Sequence, residues 1–309
     1  MAIIGGRNIG DKYFAKDDTN IQVVNDRDVL ILNTNIDNYL NSVIFQMEDY
    51  FNLVWQHDYS VYPKKILTNR QIRKGEEKAE DLRDRLESIR NSNPEIFENN
   101  FNWEENTFPT RKITLIHNPI ERINKEPWVY YELINLARNS KKSILIQSPY
   151  IIPTGNMVKI LEINSIKADN IDILTNSLYS SPNPFAIAGY MNHRKNLVDN
   201  ITNVYEFQGP GSIHAKSYIF DERISAVGSF NFDSRSVHLS TETMVIIDSE
   251  QFSNHLKGEM ENYMSQSLVV GKDYNYIENP KIKAGETPLI KKIIIKIFSI
   301  VVYFFDFML

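Results

Sequence analysis

Between residues 111 and 264, short apolar runs alternate with longer amphipathic ones, and this alternation restricts the fold more than any other feature of the sequence. Residues 113–116, 144–147, 171–174, 204–207, 213–220, 224–227 and 244–247 read as strands. Helical spacing fills the segment that starts at Pro127 and the segments 155–168, 185–200 and 252–264. Strands that take turns with helices of this length predict an α/β fold, a mixed sheet flanked by helices.

The first third repeats part of that order. Gly5-Gly6-Arg7-Asn8 is followed by a strand at 29–33 and an amphipathic helix at 38–55, with Asn38 as its expected cap. Gly228-Ser229-Phe230-Asn231 is followed by the strand at 244–247 and the helix at 252–264. The echo predicts two copies of one unit. Residues 1–110 would be a remnant of the first, carrying a charged, solvated insertion over 70–100. Residues 111–280 would be the complete second copy, and 281–309 a separate tail. Ala2-Ile3-Ile4 reads as the end of a strand with no lead-in, so a truncated or split protein is expected.

Composition narrows the chemistry. With 309 residues and 42% hydrophobic content, the chain can bury a substantial core. A net charge of -5 argues against general nucleic-acid binding. The absence of cysteine excludes disulfides, thiolate zinc sites and a cysteine nucleophile.

One motif carries chemistry: His214-x-Lys216-x4-Asp221-x6-Gly228-Ser229-x-Asn231, six residue types at fixed spacing. Imidazole titrates near neutrality and serves as nucleophile or acid. The lysine supplies a fixed cation for phosphoryl oxygens, and asparagine supplies amide donors. On a continuous strand over 213–220, His214 and Lys216 would leave the same face and meet one phosphate. Gly228 would let backbone approach that phosphate, and Ser229 and Asn231 would offer donors. Glu242 is expected to hydrogen-bond the far imidazole nitrogen and fix its tautomer.

The motif resembles the signature of the phospholipase D superfamily. Ser148-Pro149-Tyr150-Ile151-Ile152-Pro153, Ile173-Leu174-Thr175-Asn176-Ser177, Gly189-Tyr190 and Thr241-Glu242 look like its bacterial cardiolipin synthase branch, and Gly5 to Phe14 looks like the tail of that branch's first motif. The resemblance implies phospholipase D-like repeats, a phosphohistidine intermediate, and no metal or other cofactor. By position, His214 would be the acid that protonates the leaving group, Lys216 and Asn231 would bind phosphate, and Ser229 would assist. Asp221 would be mainly structural. Gly6, Arg7 and Asn8 would flank the phosphate, with Tyr150, Asn176 and Gly228 also expected at the substrate. The family's first histidine has no counterpart here, since none of His57, His117, His193, His238 and His255 lies in a His-x-Lys context. A second chain supplying that motif, or a homodimer, is therefore an expected partner.

Residues 288–309 place Lys292, Lys296, Ser299, Tyr303 and Asp306 on one narrow polar stripe of an otherwise apolar helix. Such a helix suits a membrane interface, the alternative being a helix docked on the protein's own core. The expectation is a phosphatidyltransferase with a phospholipid substrate, peripheral on the cytoplasmic side of the cytoplasmic membrane. The alternatives are a nuclease or phosphodiesterase of the same superfamily, with nucleic acid the less favoured substrate, and a non-catalytic lipid-binding subunit.

Overall fold

The computed structural model describes all residues except 15–22, 64–65, 99–100, 122 and 163–164. Its elements run β1 (Ala2–Gly5), β2 (Val24–Asn25), β3 (Asp28–Ile31), α1 (Val43–Trp55), α2 (Asn69–Ser92), α3 (Pro94–Phe97), β4 (Lys112–His117), α4 (Trp128–Asn139), β5 (Ser143–Gln147), β6 (Ile151–Ile152), α5 (Gly155–Leu161) and β7 (Asn170–Asn176). They continue with α6 (Pro184–Asn200), β8 (Asn203–Phe207), β9 (Ser212–Ile213), β10 (Ser217–Phe220), β11 (Ile224–Gly228), β12 (Phe232–Asp233), α7 (Ser234–His238), β13 (Thr243–Asp248), α8 (Glu250–Met264), β14 (Ser267–Val269) and α9 (Leu289–Tyr303).

Eight strands form one mixed sheet in the order β14-β8-β7-β5-β10-β11-β13-β4. β5, β7 and β8 are parallel, as helical crossovers require, while β10, β11, β13 and β4 follow as antiparallel neighbours. Both faces are covered, so the central strands are apolar on both sides. Tyr218, Phe220, Ala226 and Met244 face α4 and α6, where Leu133, Ile134, Ile187 and Tyr190 complete one core. Their neighbours Ile219, Val227, Val245 and Ile247 face the other way, against Leu256 and Met260 of α8 and Ile4, Val29, Ile31 and Val43 from the first third. This is the period-two alternation of strands buried on both faces.

β1 and β3 form a separate antiparallel pair in register Ala2↔Ile31 to Gly5↔Asp28. Local chemistry moves some boundaries. Ser42, not Asn38, caps α1, since its side chain accepts from Phe45 N while Asn38 sits in a preceding 3-10 segment with non-helical backbone. The helix expected over 155–168 is shorter, ending where Glu162 turns left-handed at φ 42. α2 is a charged helix with no buried residue, opened by a capping box between Thr68 and Gln71.

The tail forms α9 and docks on α6. Ile295 and Val302 are buried, and Phe298 stacks on Phe185 at 4.3 Å between ring centroids. Each buried aliphatic side chain contributes about 1.5–3 kcal/mol to that docking. Most of the remaining apolar side chains of α9 stay exposed.

Candidate active site

His214 sits in a break rather than on a continuous strand. β9 ends at Ile213 and β10 begins at Ser217, so the expected strand over 213–220 is interrupted at the motif itself. The cause lies in the first third of the chain. β9 pairs in parallel with β2, and Asn25 O accepts from both His214 N (2.7 Å) and Ala215 N (3.2 Å). One carbonyl that takes two successive amides bends the backbone out of the ladder. Ala215 turns into the interior while the side chains on either side of it converge.

The convergence is tight. Lys216 Nζ lies 2.7 Å from His214 Nδ1 and 3.2 Å from Nε2, and it also donates to His214 O. Asp26 Oδ2 lies 2.6 Å from the same Nδ1. A carboxylate accepts only, so Nδ1 carries the proton and donates it to Asp26. Nε2 keeps its lone pair, and of the two ring nitrogens it alone can accept from Lys216. The Tyr13 ring meets the imidazole in a T-shaped contact at 5.0 Å between centroids.

Burial and charge tune the three groups against one another. Burial, the largest single influence on Asp26, favours its neutral form. The hydrogen bond from His214 and the nearby charges of Lys216 and His214 together hold Asp26 below the usual carboxylate range. Burial lowers His214, with the Asp26 hydrogen bond opposing and Lys216 reinforcing the shift. Burial also brings the Lys216 ammonium down to about 8, against the pull of Asp26, Glu242 and Asp233. Lys216 is 2% exposed, so its charge is balanced by neighbouring carboxylates and not by water.

Glu242 does not reach the imidazole. Its Oε2 accepts from Ser229 Oγ and its Oε1 from Ser236 Oγ at 3.0 Å. Asp26 takes the tautomer-fixing position that Glu242 was expected to hold. Burial raises Glu242, with the two serine bonds and Lys216 opposing and Asp233 reinforcing. Ser229 in turn accepts from Thr243 N at 3.0 Å, so it is held between β11 and β13.

A cavity of about 370 Å³ opens on His214 and Asn231. Tyr13, Tyr150, Asp233, Arg235, Met308 and Leu309 contribute to its walls. Asn231 Oδ1 is buried with no hydrogen-bond partner among the described residues. Burial pushes the Tyr150 hydroxyl up to about 12. Asn8 lines the cavity and donates to Tyr13 OH at 3.0 Å.

Other expected site residues stand differently. Asn176 is 1% exposed and its amide is saturated by its surroundings, donating to Pro149 O (3.1 Å) and Ile213 O (2.8 Å) and accepting from Ile213 N (2.8 Å). It holds the backbone before His214 and leaves no donor for a substrate. Arg7 bonds Asp28 Oδ2 at 2.7 Å and Tyr13 O at 2.6 Å, turned onto its own segment. Asp221 lies past the far end of β10 and accepts from the backbone amides of Lys141, Lys142 and Ser143 at 2.7–3.1 Å. Together with Glu222 it turns the β10–β11 hairpin in left-handed backbone, φ 51 and 58. Gly228 is required by the sheet more than by a phosphate, since a Cβ there would stand 2.7 Å from Met244 Cα. A Cβ on Gly6 would stand 2.7 Å from Lys216 Cδ and 2.8 Å from Gly228 O, so the two related glycine segments meet beside the lysine.

Asp26 escaped the sequence reading. It lies 188 positions from His214, and Asn25-Asp26-Arg27 carries no spacing that links it to the motif. Its only visible signal is a carboxylate just ahead of a strand in the first third of the chain.

Comparison with known proteins follows the same segment. Residues 133–264 match the family model described as cardiolipin synthase, PLD-like domain. An uncharacterized protein of Helicobacter pylori is 28% identical over 292 residues, covering 86% of this chain and 55% of that protein. Cardiolipin synthase 1 of Staphylococcus epidermidis is 29% identical over 169 residues, covering 54% of this chain and 34% of the synthase. The chain thus spans about half the length, or less, of these relatives. Among solved structures, the phosphatidylserine synthase of Haemophilus influenzae Rd KW20 aligns with a TM-score of 0.49 at 14% identity, covering 64% of this chain and 48% of that one. Nuc of Salmonella typhimurium, a phospholipase D family member, aligns with a TM-score of 0.40 at 17% identity, covering 52% of this chain and 99% of that one.

Proposed function

We propose that the chain is a member of the phospholipase D superfamily and serves phosphatidyl transfer of the cardiolipin synthase kind. The observation that carries this reading is the Asp26–His214–Lys216 cluster, which presents His214 at the wall of the cavity with the Asp26 and Lys216 side chains buried behind it. An imidazole with a fixed tautomer, a buried ammonium beside it and an asparagine side chain whose amide can donate suit a phosphodiester.

The reaction needs two imidazoles in complementary roles. One attacks phosphorus, the bond from phosphorus to the leaving oxygen breaks, and the leaving alkoxide takes a proton from the other. The acceptor hydroxyl then gives its proton back to that second imidazole as its oxygen displaces the first from phosphorus. His214 fits the proton-transfer role, because Asp26 stabilises the imidazolium it must form. Lys216 and Asn231 would hold the phosphoryl oxygens and Ser229 would assist. Among the described residues, His214 is the one histidine that lines the cavity, so the other imidazole comes from elsewhere in the working protein: an upstream segment, a second polypeptide or a second copy.

The test is a lipid assay with chromatographic readout on phosphatidylglycerol vesicles. The chain is assayed alone and with a His-x-Lys segment joined ahead of Ala2. The expected result is phosphatidyl transfer in the joined form, abolished by His214→Ala. Cleavage of plain DNA with no lipid product would replace this reading with a nuclease. Lipid binding without turnover in both forms would replace it with a non-catalytic subunit.

A further inference from the structure

α9 divides lengthwise into three stripes. At about 100° per residue, Lys291, Ile295, Phe298 and Val302 fall together, and these are the positions that meet the body of the protein. Lys291 Nζ donates to Tyr179 O (3.0 Å) and Ser181 O (2.9 Å), and Asn192 donates to Ser299 O (2.9 Å), so the docking is fixed at both ends. On the side away from α6, Ile290, Ile293, Ile297, Ile300 and Phe304 recur at spacings of three and four, with no covering element among the described residues. Ile297 is 55% exposed and Phe304 68%. Lys292 and Lys296 lie along one border of this apolar face, and neither has a carboxylate partner among the described residues.

The end of the same segment enters the candidate site. Met308 and Leu309 line the cavity that holds His214 and Asn231. Leu309 O accepts from Arg235 N at 2.6 Å, and the Leu309 side chain rests against Gly189. The tail therefore carries an uncovered apolar face along α9 and, in the turn that follows it, a wall of the candidate cavity.

We propose that the exposed face of α9 seats on an anionic lipid bilayer and sets the mouth of the His214 cavity, at Met308 and Leu309, at the membrane surface, so that a phospholipid enters headgroup first without leaving the interface. This rests on the reading of the cavity as a phospholipid site. The occupant follows from chemistry. The face is wide, aliphatic and aromatic, without the interspersed charge that pairs one helix with another, and its lysine border matches lipid phosphates. The helix is not a membrane span: none among the described residues is long and apolar enough to cross. It lies along the surface, where burial of its face and attraction of its lysines act together.

The test uses the full chain and no turnover. Vesicles of phosphatidylglycerol and phosphatidylcholine are sedimented with the wild type and with the double variant Ile297→Glu, Phe304→Glu, both folded by circular dichroism. The expected result is a partition constant at least about tenfold lower for the double variant. Separately, Met308→Cys in this cysteine-free chain takes an environment-sensitive fluorophore at a single site. The probe is expected to move to the blue on anionic vesicles and to be quenched by a spin label at headgroup depth. Wild-type binding by the double variant overturns the proposal. So does a probe at position 308 that stays aqueous on vesicle-bound protein, or a concentration-dependent dimer that the double variant abolishes in a chain that binds no vesicles. Because His214→Ala leaves α9 untouched, that variant still binds vesicles, so failure of the chemistry and failure of the docking are read apart.

Discussion

Asp26 Oδ2 stands 2.6 Å from His214 Nδ1, so a carboxylate from the first third of the chain fixes the tautomer of the motif histidine. Asp26→Asn keeps the shape but removes the charge that stabilises the imidazolium. In the catalytically complete form, the rate of phosphodiester cleavage should fall by about two to four orders of magnitude. Lipid affinity should change little. Single-turnover measurement with a chromogenic phosphodiester checks this, and an unchanged rate would remove Asp26 from the mechanism.

Lys216 should make phosphate binding and stability respond to pH in opposite directions. Its ammonium titrates at about 8 in the fold, below the ordinary lysine value of 10.5. Between those values the unfolded chain binds more protons, so this group's contribution to stability becomes more favourable as pH rises from about 8 towards 10.5. An anion needs the charged form, so affinity for inorganic phosphate or tungstate should weaken about tenfold per pH unit above 8. Calorimetric titration and thermal unfolding across that range read both signs, and Lys216→Met should abolish both trends.

Asp221 is expected to matter for the fold and not for chemistry. Its carboxylate accepts three backbone amides at the entrance to β5. Burial opposes ionisation, but those amides and Lys142 hold it below the ordinary carboxylate range. A depressed carboxylate contributes stability that is present above its ordinary value of 3.8 and is lost as pH falls through the folded value. Asp221→Ala should cost about 1.5–3 kcal/mol in denaturant unfolding at neutral pH. Anion affinity of the folded fraction should stay at the wild-type level.

Gly6→Ala tests whether the first glycine segment shapes the phosphate site. The new methyl would meet Lys216 Cδ at 2.7 Å and the Gly228 carbonyl at 2.8 Å. The lysine chain can bend away and the backbone cannot, so the ammonium should leave its position. A weakening of phosphate affinity by about tenfold or more is expected, with a loss of stability of about 1–3 kcal/mol. Wild-type affinity would show that Lys216 has room to spare.

The chain alone should show little or no turnover, because one imidazole cannot both attack phosphorus and protonate the leaving oxygen in the same step. Robust activity from a monomer, abolished by His214→Ala, would contradict this.

Much of the scaffold is legible from pattern. β5, β7, β8, β11 and β13 follow from apolar runs bounded by turn residues, and α6 and α8 from helical spacing, because these elements are buried on the sides that the periodicity marks. The motif also brings His214 and Lys216 together as read. Their route to that contact was not legible, because the kink at 214–216 is imposed by Asn25 O from a distant strand. For the same reason Glu242 looked like the imidazole's partner. It is a carboxylate downstream of the motif of the kind that fixes an imidazole in catalytic triads, but its oxygens are taken by Ser229 and Ser236. The tail shows a further limit. Its polar stripe was visible, whereas its docked stripe, centred on Ile295 and Val302, is chemically indistinguishable from its exposed one.

The pairing of β2 with β9 has a consequence for how the protein acquires its working form. Val24 and Asn25 meet Ser212 and Ile213 only after nearly two hundred intervening positions have been brought into place. Closing so long a loop is slow and yields little until the sheet it lies against exists. Competence to bind an anion should therefore mature last during refolding, lagging behind the sheet's own spectroscopic signal.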